Sequence, residues 1–273
     1  MTKRITGLRA AVFIGVAAIA LAVIVAVSRA QAPAQQGPPP QRIVVTVTQL
    51  KPDMVATWED LQKNEMIPAQ KKAGLPWRHT LGNGISGQSF TRVTIAPLAN
   101  YAQLDMPGGF ITRAVNAEAN ANYNAKIRPT IESQHQSIAT LQTDLSIVSN
   151  ATTMLGLQVV QSLVVLPGRG DDFAASMKED YLPAYKKAGV KDYFVFTTNQ
   201  GGPGGERILV RPIAKYADLD RPGLLAQAGL SQEQQDKIGA RRNATLASGI
   251  RTEVFRFIPE LSYGAPGPVR QTN

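Results

Sequence analysis

Cysteine is absent from this 273-residue chain. Its absence excludes disulfides, thiolate metal sites, cysteine nucleophiles and acylation at a cysteine, so stability must come from an ordinary apolar core. Histidine is nearly absent. His79 and His135 are the two present, and although Glu132 and Asp144 lie near His135 in sequence, no spacing matches a metal-ligand pattern. No metal site is therefore expected, and His135 reads as a solvent-exposed loop residue in the polar stretch Glu132–Gln136. There is no Gly-x-Ser-x-Gly elbow, no His-Glu-x-x-His and no dinucleotide fingerprint. The glycine cluster Gly201-Gly-Pro-Gly-Gly205 lacks the Lys-Ser/Thr of a phosphate loop and leads into a strand pattern, which makes it a hairpin turn. Long runs of one charge are missing too. The basic side chains are scattered among acids, with no run beyond Lys71-Lys72 or Arg241-Arg242, which argues against a nucleic-acid partner.

Outside the N-terminus there is no long hydrophobic run. Residues 1–32 read as an export signal, with Lys3, Arg4 and Arg9 ahead of the apolar stretch Ala10 to Ser28 and a small-x-small site at Ala30-Gln31-Ala32. The expected location is exported, periplasmic or extracellular. The competing reading is an uncleaved anchor formed by residues 10–28, which would be the only contact with a membrane. Residues 33–41 form a Pro-rich linker. Without Lys3, Arg4, Arg9 and Arg29, the 29 basic residues fall to 25 against 20 acidic ones, a net charge of +5 rather than +9.

What is present is a repeat. Met66-Ile-Pro-Ala-Gln-Lys-Lys-Ala-Gly-Leu75 returns as Tyr181-Leu-Pro-Ala-Tyr-Lys-Lys-Ala-Gly-Val190, and Pro97-Leu-Ala-Asn-Tyr-Ala-Gln-Leu-Asp-Met-Pro107 returns as Pro212-Ile-Ala-Lys-Tyr-Ala-Asp-Leu-Asp-Arg-Pro222. Both blocks keep an offset of 115, and residues 60–113 match 175–228 at 17 of 54 positions without a gap. The chain is a duplicated module.

Each copy predicts a β-branched strand (43–49 and 159–165) and a helix ending at Gly74 or Gly189. Pro68 and Pro183 should kink that helix at one matching point. A hairpin follows (77–81 with 90–96, 193–197 with 207–211), then a second helix (112–131, 230–247) and a last strand (137–148, 250–258). The fold class is α+β: two tandem ferredoxin-like β-α-β-β-α-β modules, 42–150 and 156–262, packed sheet to sheet, with 263–273 a disordered tail. Val93 and Ile95, like Ile208 and Val210, are expected to face the helices, which turns Arg92 and Arg207 toward the space between the sheets.

The strand order, the Pro-Ala-x-Lys-Lys-Ala-Gly helix end and the Pro-x-Ala-x-Tyr-Ala-x-Leu-Asp block resemble the dimeric α/β-barrel superfamily, especially its NIPSNAP-like and antibiotic-biosynthesis-monooxygenase-like members. The resemblance implies an intramolecular barrel with ligands held inside it or between sheet and helices. Members include cofactor-free monooxygenases, haem-degrading and haem-binding enzymes and isomerases, so the fold does not choose an activity.

Positions where the copies differ are the places to seek a site. Trp77 and His79 share one strand face and are replaced by Asp192 and Phe194; an imidazole beside an indole can stack a planar ligand, ligate haem iron or move a proton. The haem-degrading members use Asn, Trp and His, and no asparagine aligns here, so the likeness stops at residue types. The ligand-binding candidates are Trp77, His79, Arg92, Asp192, Phe194 and Arg207, with internal carboxylates Asp144, Glu206 or Glu253 as alternative partners of the arginines. The expected function is binding of a small apolar or planar molecule, or of a protein partner; the alternative is a cofactor-free monooxygenase-like or haem-binding enzyme. No cofactor is predicted outright, haem being the one left open, and the internal pseudo-dimer leaves further oligomerisation unassigned.

Overall fold

The computed structural model describes residues 42–105, 115–149, 156–247 and 249–264. The leader and linker expected at 1–41 lie outside them, as does most of the expected tail. In the first module, β1 (Arg42–Leu50) is followed by α1, which runs Val55–Leu61, Gln62–Met66 and Ile67–Lys72 as one helix. Then come β2 (His79–Asn83), β3 (Thr91–Leu98), α2 (Ala117–Ile127) and β4 (Ile131–Leu141). The second module repeats the order: β5 (Leu157–Val164), α3 (Gly170–Ser176, Met177–Tyr181 and Leu182–Lys187), β6 (Phe194–Gln200) and β7 (Glu206–Ile213). A short α4 (Leu224–Gln227) precedes α5 (Gln232–Asn243) and β8 (Arg251–Phe257). Among the described residues no helix is long and apolar enough to cross a membrane.

The two sheets do more than face each other. Within each module the antiparallel order is β4-β1-β3-β2 or β8-β5-β7-β6, and hydrogen-bonded seams at β2–β8 and β4–β6 join them into one closed eight-stranded barrel. Closure removes the four sheet edges that two stacked sheets would leave unpaired. Opposite strands such as β1 and β5 are four antiparallel steps apart and so run in the same direction, which sets equivalent residues of the two copies facing each other across the barrel.

The proline in each first helix is accommodated without a break. Residues 62–66 and 177–181 form a single π turn, in which the Ile67 and Leu182 amides bond five residues back, to the carbonyls of Gln62 and Met177. Widening the turn there takes up the misfit of a proline ring inside a helix. Gly74 and Gly189 both sit at φ +81°, the left-handed helix ends read from the sequence, with lysine pairs in the last turns.

Two expectations are corrected. Strand β4 begins at Ile131, six residues before the expected 137, so His135 lies on a strand and not in a loop. The polar run can pair because Gln134 and Gln136 donate to Thr48 and Thr46 of β1, at 3.0 and 3.1 Å, in place of an apolar contact. The offset there is 116 and not 115: Ala139 faces Ile43 while Phe255 faces Gln158. The second correction concerns the faces. Val93, Ile95, Ile208 and Val210 line the barrel interior, and Arg92 and Arg207 lie on the outer face beneath the helices. A barrel strand is covered on both sides, so period-two alternation separates its faces without saying which is inside.

Packing under the helices is tight. Leu50 and Trp58 anchor the first module, and Phe173, Met177 and Val195, each 0% exposed, anchor the second. Side chains of this size contribute about 1.5–3 kcal/mol each on burial.

Candidate ligand cavity

The barrel encloses a cavity of about 470 Å³, within the range usual for small-molecule sites. Strand register divides its wall into two levels. The deep level carries Ile43, Trp77, His79, Leu141 and Phe194; the upper level carries Thr91, His135, Glu206, Arg251 and Glu253. His79 and Trp77 are 4% and 6% exposed, whereas Val47, on the upper wall, is 36% exposed. The cavity is thus open at its polar end and closed at its aromatic end.

Closure at the deep end comes from the segment after β8. The Arg78 amide donates to Tyr263 O and the Tyr263 amide to Arg78 O, both at 2.9 Å. Gly264 then crosses Trp77 so closely that a Cβ there would stand 2.7 Å from the Trp77 Cβ. Tyr263 and Gly264, expected in a disordered tail, therefore build the floor. Two hairpins shape the mouth: the Gly84 amide donates to Val254 O at 2.7 Å, and the Val254 amide to Ser86 Oγ at 3.2 Å. On the opposite side Gly201, at φ +73°, lies against β4, where a Cβ would fall 2.2 Å from Gln136 O, and the Gly201 carbonyl contacts His135 Nε2.

The deep end holds the chemistry. The Trp77 and His79 rings lie 5.0 Å apart at 41°, and Phe257 meets His79 edge-on at 5.5 Å. Burial pulls the His79 pKa below its usual value, and a hydrogen bond with the Gly264 backbone opposes that pull in part. The ring is therefore neutral near pH 7, with one nitrogen a donor and the other an acceptor. Trp77 Nε1 is buried without a hydrogen-bond partner among the described residues. At the mouth, Arg251 pairs with Glu253 at 2.8 Å.

The candidates named from sequence separate cleanly. Trp77, His79 and Phe194 line the cavity together. Asp192 does not: its carboxylate accepts from the Ser149 amide at 2.8 Å and the Ser149 hydroxyl at 2.9 Å, outside the barrel. Arg92 bonds Glu59 of α1 through Nε at 3.0 Å and Nη2 at 2.7 Å, a partner absent from the sequence-based set because it comes from the helix layer. Arg207 donates to the Glu206 carbonyl at 3.0 Å on the same outer face, and burial lowers its pKa. Asp144 pairs with Lys178 at 2.6 Å and is not a partner of either arginine. Among the described residues no three metal-ligating side chains cluster.

Sequence reasoning passed over several wall residues. From sequence Glu206 and Glu253 stand only as arginine partners, yet both line the cavity, as do Arg251 and Gln158. The copy comparison could have found them: Thr91 against Glu206, Ile43 against Gln158 and, once the offset of 116 is known, Ser137 against Glu253 and His135 against Arg251.

No family model matches the chain, and no curated protein matches it in sequence. Solved structures do match in shape. A protein described as a candidate monooxygenase from Lactobacillus acidophilus has a TM-score of 0.53 at 8% identity, over 86% of this chain and 100% of that one. A second, from Fusobacterium nucleatum, has a TM-score of 0.54 at 11% identity, over 85% and 97%. An anthrone oxidase-like protein has a TM-score of 0.52 at 10% identity, over 85% and 96%. At such identities the likeness speaks for architecture alone. Together with the closed barrel, it establishes the fold as that of the dimeric, ferredoxin-like α/β barrel, with both halves in one chain.

Proposed function

We propose that this protein binds a small, planar, largely apolar molecule inside the barrel, with a polar edge of the ligand at the mouth. The observation that carries the reading is the one-ended cavity: mainly aromatic and aliphatic at its closed end, with His79 and Gln158 as polar groups there, and richer in polar and charged side chains at its open end. Burying apolar surface supplies the drive, and the neutral His79 ring can add specificity for a hydroxyl or carbonyl that the ligand carries at the closed end. The test is calorimetric titration with 2-naphthol of the wild-type chain and of a cavity-filling variant, Val160→Phe. Saturable binding that the filled barrel loses while it still melts cooperatively supports the reading; unchanged binding in Val160→Phe refutes it.

A second reading, oxygenation without a cofactor, is favoured by one observation, the Trp77–His79 pair at the closed end. A neutral imidazole there can take the proton of a phenolic ligand, the step that prepares such a molecule for reaction with oxygen. Loss of turnover but not of binding in His79→Asn would support this role. The residues suit a neutral ligand better than a porphyrin: Glu206 and Glu253 at the mouth would oppose haem propionates, and Arg251, the cation beside them, is already paired. Haemin titration checks this, a Soret shift lost in His79→Ala being the result that would favour haem. Export is proposed from the leader alone, and N-terminal sequencing of the mature protein decides between cleavage near Ala32 and an anchor.

A further inference from the structure

A second cavity, of about 440 Å³, lies outside the barrel in the second module, between the outer face of β5 and β7 and the helices α3, α4 and α5. Its lining includes Tyr181, Tyr185, Tyr193, Arg211 and Arg242. The same place in the first module is filled by a closed polar network. There Arg78, 2% exposed, donates to Gln62 at 2.6 Å, to Gln70 at 3.1 Å and to Thr94 at 3.3 Å. At the offset of 115 each of these is exchanged: Gln62 for Met177, Gln70 for Tyr185, Arg78 for Tyr193 and Thr94 for Leu209. Two new cations appear as well, Arg211 where the first copy has Ala96 and Arg242 where it has Ile127.

The exchange leaves positive charge without a matching carboxylate. Arg242 stacks on the Tyr181 ring at 4.8 Å, and its Nε is buried with no hydrogen-bond partner among the described residues. Arg211 is half-buried, and the carboxylate that acts on it, Asp218, is already taken by Arg221 at 3.5 Å and by the Ala214 and Lys215 amides at 3.2 Å. Asp236, the acid on the cavity wall, accepts from Gln232 at 2.8 Å. Two guanidinium groups thus face one carboxylate. The phenols are protonated at neutral pH, burial pushing Tyr185 up to about 12, and Tyr185 and Tyr193 hydrogen-bond each other. Val159, Leu209, Leu224 and Leu225 give the wall an apolar part beside the tyrosines, suited to an aromatic ring, while Gln161, Gln232 and Gln235 make the remainder polar.

We propose that this cavity is a second binding site, for a small aromatic carboxylate, whose ring packs among the tyrosines and leucines while Arg211 and Arg242 hold the carboxylate. The site is separate from the barrel and does not depend on what the barrel binds. In the first module the Arg78 network holds the positions equivalent to Met177, Tyr185, Tyr193 and Leu209.

The test is calorimetric titration of the full chain with benzoate, with benzyl alcohol as the uncharged counterpart and inorganic phosphate as an anion without a ring. The expected result is saturable benzoate binding, weakened about tenfold or more in Arg211→Gln and in Arg242→Gln. It should be tighter in Asp236→Asn, a gain that misfolding cannot imitate, and unchanged in Val160→Phe, whose barrel is filled. The proposal is overturned if benzoate gives no heat at millimolar concentration, if benzyl alcohol or phosphate binds as well as benzoate, or if the arginine variants bind like wild type. Loss of benzoate binding in Val160→Phe would overturn it too, by moving the ligand into the barrel.

Discussion

Removing the acceptor that Arg78 leans on should cost more than removing Arg78 and that acceptor together. Arg78 is buried with no carboxylate among its hydrogen-bond partners; its acceptors are Gln62, Gln70, Thr80 and Thr94. Burial brings its pKa from 12.5 down to about 10, with the Tyr123 and Tyr263 phenols acting in the opposite sense. At about 1.4 kcal/mol for each pH unit between those values, holding the charge there costs roughly 3 kcal/mol. The shortest contact, at 2.6 Å, is to Gln62 Oε1, and the Gln62 amide in turn donates to Tyr123 Oη at 2.7 Å. Gln62→Leu keeps the volume but removes both bonds, taking the closest acceptor from a buried cation that retains Gln70, Thr80 and Thr94 and a donor from the buried Tyr123 phenol, so the expected loss of unfolding free energy is about 2–4 kcal/mol. The double variant Gln62→Leu/Arg78→Met removes the charge as well and should return to within about 2 kcal/mol of wild type. Urea unfolding of wild type, both single variants and the double variant gives the coupling energy, expected at about 2 kcal/mol or more. A loss below about 1 kcal/mol for Gln62→Leu, or strict additivity in the double variant, would refute the reasoning.

Arg92→Gln should cost only about 1 kcal/mol in urea unfolding, because its partner Glu59 is one-third exposed and water screens the pair, and 2-naphthol binding should be unchanged because both residues lie outside the barrel. Gly201→Ala forces a left-handed residue to carry a Cβ against the Gln136 carbonyl; a loss of about 1–3 kcal/mol is expected, with faster amide exchange where the β6–β7 hairpin meets β4. The folded-state pKa of His79 lies below its unfolded value of 6.5, so the unfolded chain binds the extra proton first. The contribution of His79 is complete above pH 6.5 and declines as pH falls toward the folded pKa; His79→Phe should remove that part of the acid slope in a series of melts, and an unaltered slope would count against a buried neutral ring.

The sequence by itself determined the module, its repetition and the order of its elements, because these rest on local physics: β-branched runs, lysines and a glycine at helix ends, and a proline at one matching point in each copy. It also singled out Trp77, His79 and Phe194, since a symmetric scaffold advertises its asymmetries. Tertiary structure decided which face of each strand looks inward. Val93 and Arg92 alternate in the same way whichever side holds the helices, and only barrel closure through β2–β8 and β4–β6 put the valine inside and paired the arginine with Glu59. It decided the wall at the mouth as well, because His135, Arg251 and Glu253 reach the cavity through a polar strand start and a one-residue change of register that no local pattern encodes. The difference between a filled slot around Arg78 and an open one around Arg242 likewise belongs to the tertiary structure. It depends on which side chains from a sheet and two helices meet, and that is a property of packing, not of any single segment.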